Sequence, residues 1–350
     1  MKLHEIIQQI GPICEDAVQE CRKRWDGMAK PLHSLGKLED SICQIAGIQA
    51  DAKIDIKKKA LIIMCADNGV VEEGVTQTGQ EVTAIVAENF LDEKSCVAIM
   101  CKDTNTGIYP IDIGMATDTQ RVERHKIRYG TANIAKGPAM TREEAEAAVL
   151  VGIQKVMELK QQGYQLIATG EMGIGNTTTS SAMCACLLGC PPAEVTGRGA
   201  GLSTKGLEKK IHVIETALNL LHPDETDPMD ILAKVGGLDI AGLVGVFLGC
   251  AAAGIPVVMD GFISAVAAVT AIRIAPKASP YILASHVSKE PAGERVLEAM
   301  GKNPMLTCDL CLGEGSGAVA IFPLLDLAVS IYYKMGTFQD SAIEAYQELE

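Results

Sequence analysis

Positive charge is scarce in this chain of 350 residues, where 31 Lys and Arg stand against 44 Asp and Glu and the net charge is −13. Proteins that grip a nucleic-acid backbone need clustered cations to neutralise phosphates, so that class of partner is excluded. An anionic small molecule would have to be held by local dipoles and single cations. The opening residues show no secretory pattern, and no leader is expected. The opening MKLHEIIQQIGPICEDAVQECRKRW reads as an amphipathic helix with Leu3, Ile6, Ile7 and Ile10 on one face, which predicts a cytoplasmic protein. The longest uncharged run, 241–259, is interrupted by Gly242, Gly245, Gly249, Gly254 and Pro256 and ends at Asp260. It predicts a buried helix, a turn and a buried strand, with no membrane contact.

Paired metal motifs are wanting too. Twelve cysteines are present, yet neither Cys308-x-x-Cys311 nor the group Cys184, Cys186 and Cys190 has a second half at zinc-finger spacing. Both lie in apolar stretches, as do Cys65, Cys101 and Cys250, so reduced core thiols are expected and a metal is not. No GK[ST] follows any glycine loop, and no G-x-G-x-x-G with a ribose-clamping acid is present, which excludes a P-loop and a nicotinamide-cofactor dehydrogenase.

What is present is an alternation of short apolar runs with longer helical segments, the pattern of a parallel sheet covered by helices. Strands are expected over 60–66, 107–113, 165–169, 255–259, 281–285 and 306–312. Helices are expected over 80–100, 141–162, 177–188, 205–221, 238–253 and 261–274, with two more over 316–335 and 337–350. The terminal helices would form a small bundle beside the sheet. Polar residues lie at or just beyond the end of every expected strand: Asp67, Asp112, Glu171, Asp260, Ser285 with His286, and Glu314. Ligands bind at the carboxyl ends of open parallel sheets, so these positions predict one carboxylate-rich crevice.

Three segments carry chemistry. GEMGIGNTTT, 170–179, combines close-approach glycines with an Asn/Thr run that opens a helix, which suits a phosphate as well as a plain capped turn. TGRGAGL, 196–202, precedes a helix bearing Lys209 and Lys210, either a phosphate cation or a solvated face. LGEGSGA, 312–318, places a carboxylate between glycines after an apolar run. That arrangement fits a base with a raised pKa or a helix cap.

Together with KPLHSLGKLED, ADNGVVEEGV, QEVTA, GGLDIAGLVG, IPVVMDGFISAVAA and SHVSKEP, these motifs resemble, in order and spacing along nearly the whole chain, the nicotinate-nucleotide:dimethylbenzimidazole phosphoribosyltransferase family. The resemblance implies a Rossmann-like α/β fold and a large catalytic domain over 29–304. It also implies a small helical domain from 1–28 plus 305–350 and a homodimer. The implied activity moves ribose 5-phosphate from nicotinate mononucleotide to a cobamide lower-ligand base, inverting C1′, with no metal or other cofactor. Glu314 matches the family's general base and Glu171 the carboxylate near the ribose. Gly173, Gly175, Asn176, Thr177, Gly199, Lys210 and Ser288 match its nucleotide and phosphate surroundings, and Gln80 its acceptor pocket.

Departures gather on the acceptor side. Asn68 replaces a common His, Thr78-Gly79 replaces an aromatic-Pro pair, and Val287 stands where a more polar residue is common. Lost stacking surface leaves benzimidazole-type and phenol-type acceptors both open. A catalytically quiet partner subunit in a heterodimer with a paralogue is the alternative. Retention of both Glu171 and Glu314 argues against it.

Overall fold

The computed structural model describes residues 2–347. Six strands form a single parallel sheet: β1 (Lys59–Ala66), β2 (Thr106–Gly114), β3 (Glu123–Arg124), β4 (Leu166–Met172), β5 (Val257–Met259) and β6 (Ile282–Ala284). Their order is β3-β2-β1-β4-β5-β6. The β1 sequence KALIIMCA is buried at every position, as an unalternating apolar run should be when helices cover both faces. β1 is central, in register with β2 from Lys59 opposite Thr106 and with β4 from Lys59 opposite Leu166.

The helix Leu238–Ala253 is buried almost throughout and crosses the helix Arg142–Gln161 through its glycines. A methyl on Gly245 or Gly152 would strike the facing backbone, at Val149 or Gly242, so small residues permit the close approach. The run 241–259 is thus a core helix, a left-handed turn at Gly254 and the strand β5. The helix Arg142–Gln161 starts at a capping box between Thr141 and Glu144.

Several expectations need correction. Residues 306–312 are not a strand. They follow β6's extension through the bridge of His286 to Leu306 and again where the Lys289 amide donates to the Leu310 carbonyl at 3.0 Å, but the backbone between bends at Asp309, whose φ is +52°, and no continuous ladder forms. Thr307 to Asp309 are exposed, and so are Cys308 and Cys311, which are not core thiols. The remaining strand, β3, is a two-residue charged edge, too short and polar to leave an apolar signature. The span 80–100 is two helices, Glu81–Leu91 and Cys96–Asp103, restarted by Ser95, whose side chain caps Ala98. The opening amphipathic segment is likewise two helices, Leu3–Gln9 and Glu15–Asp26, parted at Gly11-Pro12. Residues 337–347 form turns rather than the expected helix, and the last three positions of that expected helix lie outside the described residues.

The chain ends meet. Trp25 is fully buried against Tyr332, with ring centroids 5.3 Å apart, and Met28 bridges to Thr337. Ser316–Lys334 has the length and apolarity of a membrane span. Half of it, however, is buried inside the fold, with Tyr332 on Trp25, as in a core helix.

Candidate active site

The carboxyl ends of the strands do collect acids, but not all of them remain available. After β1, Asp67 is fully buried and accepts hydrogen bonds from Thr83 Oγ1 (2.5 Å) and the Ala116 amide (2.7 Å). Burial raises its pKa to about 6. At the end of β2, Asp112 accepts from the Met115 amide and pairs at 3.1 Å with the buried Lys126 ammonium. Both acids organise loops.

Glu171, in β4, is different. Burial first, then repulsion from Asp239 and Asp260, raises its pKa to about 8. Asn176 donates through Nδ2 to Glu171 and, at 3.0 Å, to Asp239 Oδ2, tying the two acids together at the start of the helix Asn176–Leu188. Asp239 has no exposed surface, its Oδ1 has no partner, and burial raises its pKa to about 7. Sequence reasoning missed it. The available signal was a lone acid inside an otherwise uncharged stretch, since 240–259 carries no charge.

The loop between β4 and this helix needs its glycines. A methyl on Gly173 would collide with the Ala66 carbonyl and lie 2.7 Å from Asp239 Oδ2, and Gly175 has φ +95°. Thr177 follows, and its Oγ1 accepts at 2.8 Å from Lys210 Nζ, which also donates to the Gly197 carbonyl at 3.2 Å. A methyl on Gly199 would meet Thr177 Oγ1 at 2.8 Å. Lys210 is 1% exposed while its neighbour Lys209 faces solvent, so the fold separates the two candidates. Desolvation lowers the Lys210 pKa to about 8, opposed by the nearby Glu290 carboxylate. Glu290 is a second residue missed by sequence reasoning. It lies against Gly197, and burial raises its pKa.

Two clefts meet at Thr177. Val75, Thr78, Gly173, Asn176, Gly199 and Lys210 help line one; Glu171, Asp260, His286, Ser288 and Glu290 help line the other. Ser288 is buried there, and its Oγ accepts from the Glu290 amide at 3.3 Å. The acceptor-side candidates are more dispersed. Thr78 borders the first cleft, and Gln80 donates at 3.1 Å to the Asn68 carbonyl. Asn68 itself is fully buried, with Oδ1 engaged by Thr179 and Nδ2 unpartnered, and it lines neither cleft.

Glu314 stands on the loop that closes the second cleft. Its φ is +63°, between Gly313 at +85° and Gly315 at +91°. Its backbone N–H lies near the Glu171 carboxyl and favours that acid's ionised form, and its carbonyl packs against Gly170. Its own Oε2 is buried without a partner, and burial, then the charge of Asp260, raises its pKa. Beside the crevice the loop thus sets a candidate proton acceptor, with the Glu171 carboxyl near its backbone and a cation-bearing cradle across Thr177.

The family model described as Phosphoribosyltransferase matches residues 10–343. The chain is 47% identical over 347 residues to the nicotinate-nucleotide–dimethylbenzimidazole phosphoribosyltransferase of Acetivibrio thermocellus, covering 99% of each chain. With the enzyme of the same name from Ruminiclostridium cellulolyticum it shares 48% over 352 residues, covering both in full. The crystal structure of CobT from Thermus thermophilus superposes with a TM-score of 0.89 at 39% identity, covering 95% of this chain and 100% of that one. Fold and sequence agree: the chain belongs to the nicotinate-nucleotide–dimethylbenzimidazole phosphoribosyltransferase family.

Proposed function

We propose that the crevice transfers ribose 5-phosphate from nicotinate mononucleotide to a cobamide lower-ligand base. The observation that carries the reading is the unpartnered, buried Oε2 of Glu314, on the loop whose Gly313 lines the cleft that meets the Thr177, Gly199 and Lys210 cradle. The donor's nicotinate is joined through a cationic ring nitrogen. When the C1′–N bond breaks, its electron pair returns to that nitrogen and no acid is needed. Positive charge builds on the ribose, as in glycoside cleavage. Attack from the opposite face forms the new bond to C1′, turning a β-nucleotide into an α-ribotide, and the acceptor's proton passes to Glu314.

Glu171, with its pKa raised to about 8, holds a proton near neutral pH until the donor binds. A cationic donor beside it favours its ionised form, which then stabilises the developing ribose charge. Lys210, Thr177 and the amides around Gly173, Gly175 and Asn176 hold the phosphate, with Gly199 and Ser288 bordering it. This remote grip fixes C1′ against the acceptor. The balance requires neither metal nor redox cofactor.

Thr78 and Gln80 mark the acceptor side, with Asn68 supporting them from behind. A benzimidazole and a phenol each surrender a proton that Glu314 can take. The same reading makes the protein a cytoplasmic homodimer, or a heterodimer with a paralogue. It divides the chain into a catalytic unit (29–304) and a small helical unit (1–28 with 305–350).

The test is chromatography of the purified chain with nicotinate mononucleotide and, in parallel, dimethylbenzimidazole, adenine, phenol and p-cresol. Nicotinate release matched by a new α-ribotide is expected, and the fastest acceptor names the pocket. No release with any acceptor would overturn the reading of this chain as an enzyme complete in itself.

A further inference from the structure

Glu314 occupies a backbone conformation that L-residues with a side chain avoid, and it does so between two residues that are also left-handed. Glycines make Gly313 and Gly315 cheap there; Glu314 has no such freedom. Such a conformation persists only where its surroundings over-determine it. The surroundings are visible. On one side, Gly170 leaves room for the Glu314 carbonyl, against which a methyl at that position would press at 2.5 Å. On the other, Asp260 follows β5 and is 3% exposed. Its Oδ2 accepts from the Gly315 amide at 3.1 Å, and its Oδ1 from the amides of Gly317 at 2.8 Å and Ala318 at 3.1 Å. Three amides of the loop and the helix start that follows it thus converge on one carboxylate anchored in the sheet.

We infer that Asp260 is a positioning residue for the base, clamping the backbone after Glu314 so that the strained residue holds one orientation in the crevice. The inference rests on the reading of Glu314 as the base. Asp260 is not a spare acid of the crevice, because its oxygens are spent on the loop. Its charge acts a second time, through space, by helping to raise the proton affinity of Glu314 and of Glu171. The remaining titratable neighbour is His286, at the end of β6, whose ring lies against Gly317 and opposes the charge of Asp260. Ser285 Oγ lies 2.9 Å from His286 Nδ1 and fixes that ring in turn. β5 and β6 therefore hold the loop from behind while β4 meets it from the front.

Asp260→Asn separates the two effects from mere folding. An amide oxygen can keep the Gly317 and Ala318 bonds, but its NH2 opposes the Gly315 amide, and the negative charge is gone. Turnover should fall roughly 100-fold, the size of effect that a small misplacement of a reacting group produces. The donor KM should stay near normal, because the phosphate cradle is untouched. The acid limb of the kcat/KM profile should move to lower pH, because Glu314 loses a repelling charge. A helix cap without a positioning role would lower the folded fraction and shift the limb through its charge alone, leaving kcat per folded enzyme unchanged. Normal turnover of the folded variant overturns the inference wherever the limb lies, and so does a parallel loss of donor binding.

Should Asp260→Asn fail to fold, Gly317→Ala displaces the amide from the other side. The same split between kcat and donor KM is expected, and intact turnover overturns the inference. Glu314→Gln, run alongside, separates the two readings: full activity there sinks the base assignment itself, whereas an inactive Glu314→Gln beside an active Asp260→Asn sinks only the clamp.

Discussion

Replacing Lys210 by methionine should make the empty protein more stable and the enzyme worse at holding its donor. The ammonium is 1% exposed, and desolvation brings its pKa from 10.5 down to about 8. That displacement is worth about 3 kcal/mol at 1.36 kcal/mol per pH unit. A cation whose folded pKa is depressed costs stability in full below the folded value. The cost fades as pH rises from about 8 to 10.5, where only the unfolded chain keeps the proton. Methionine removes the penalty and sacrifices two hydrogen bonds, to Thr177 Oγ1 and the Gly197 carbonyl, each worth about 1 kcal/mol. A net gain of about 1 kcal/mol at pH 7 is expected. The donor phosphate then loses a charge-assisted bond of about 1.5–3 kcal/mol, which is roughly 10- to 100-fold in KM with kcat nearly unchanged. Thermal unfolding with and without nicotinate mononucleotide, together with initial rates, measures both. A lower Tm for the empty variant, or an unaltered donor KM, would refute the reasoning.

Three further outcomes follow from the same geometry. Glu171 holds its proton in the folded protein up to about pH 8 against 4.5 for a free side chain, so its stabilising contribution is complete below 4.5 and disappears by 8. Glu171→Gln should flatten the decline of Tm across that window, with Asp239 and Asp67 contributing to the slope that remains; an unaltered decline would count against its buried, neutral state. Gly170→Ala presses a methyl on the Glu314 carbonyl, so a loss of roughly 100-fold in kcat is expected for about 1–3 kcal/mol of stability. Normal turnover in that variant would show that the loop tolerates displacement. Lys126→Met leaves Asp112 buried without its 3.1 Å partner and should cost about 3–5 kcal/mol in denaturant unfolding; a change under about 1 kcal/mol would mean that water reaches the pair.

The central strands are legible in the sequence because a run such as ALIIMCA leaves no polar position to face water. The same logic misleads at 306–312, where a partly apolar run follows a backbone that bends at Asp309 and exposes most of its residues. Strand-end acids point to the crevice correctly as a group, yet nothing in their spacing separates Glu171, open to a ligand, from Asp67 and Asp112, consumed by their own loops. That distinction depends on which amides return to each carboxylate, which only the folded chain decides. Lys209 and Lys210 are chemically identical in sequence and differ only by the phase of their helix. Asn68 is an acceptor-side candidate through the family resemblance alone, and the inward turn of its side chain to Thr179 is something no sequence pattern announces.

The meeting of the chain ends sets a schedule for biosynthesis. Arg24 donates to the Tyr332 carbonyl across 308 positions, and Trp25, the chain's single tryptophan, packs on the same residue. At about 5–20 residues per second, a ribosome needs roughly 15–60 s to supply that partner. Until then the indole has no ring to cover it, whatever the sheet has achieved. Nascent chains stalled before and after position 332 should therefore differ in tryptophan emission. The first segment to emerge would be among the last to find its place.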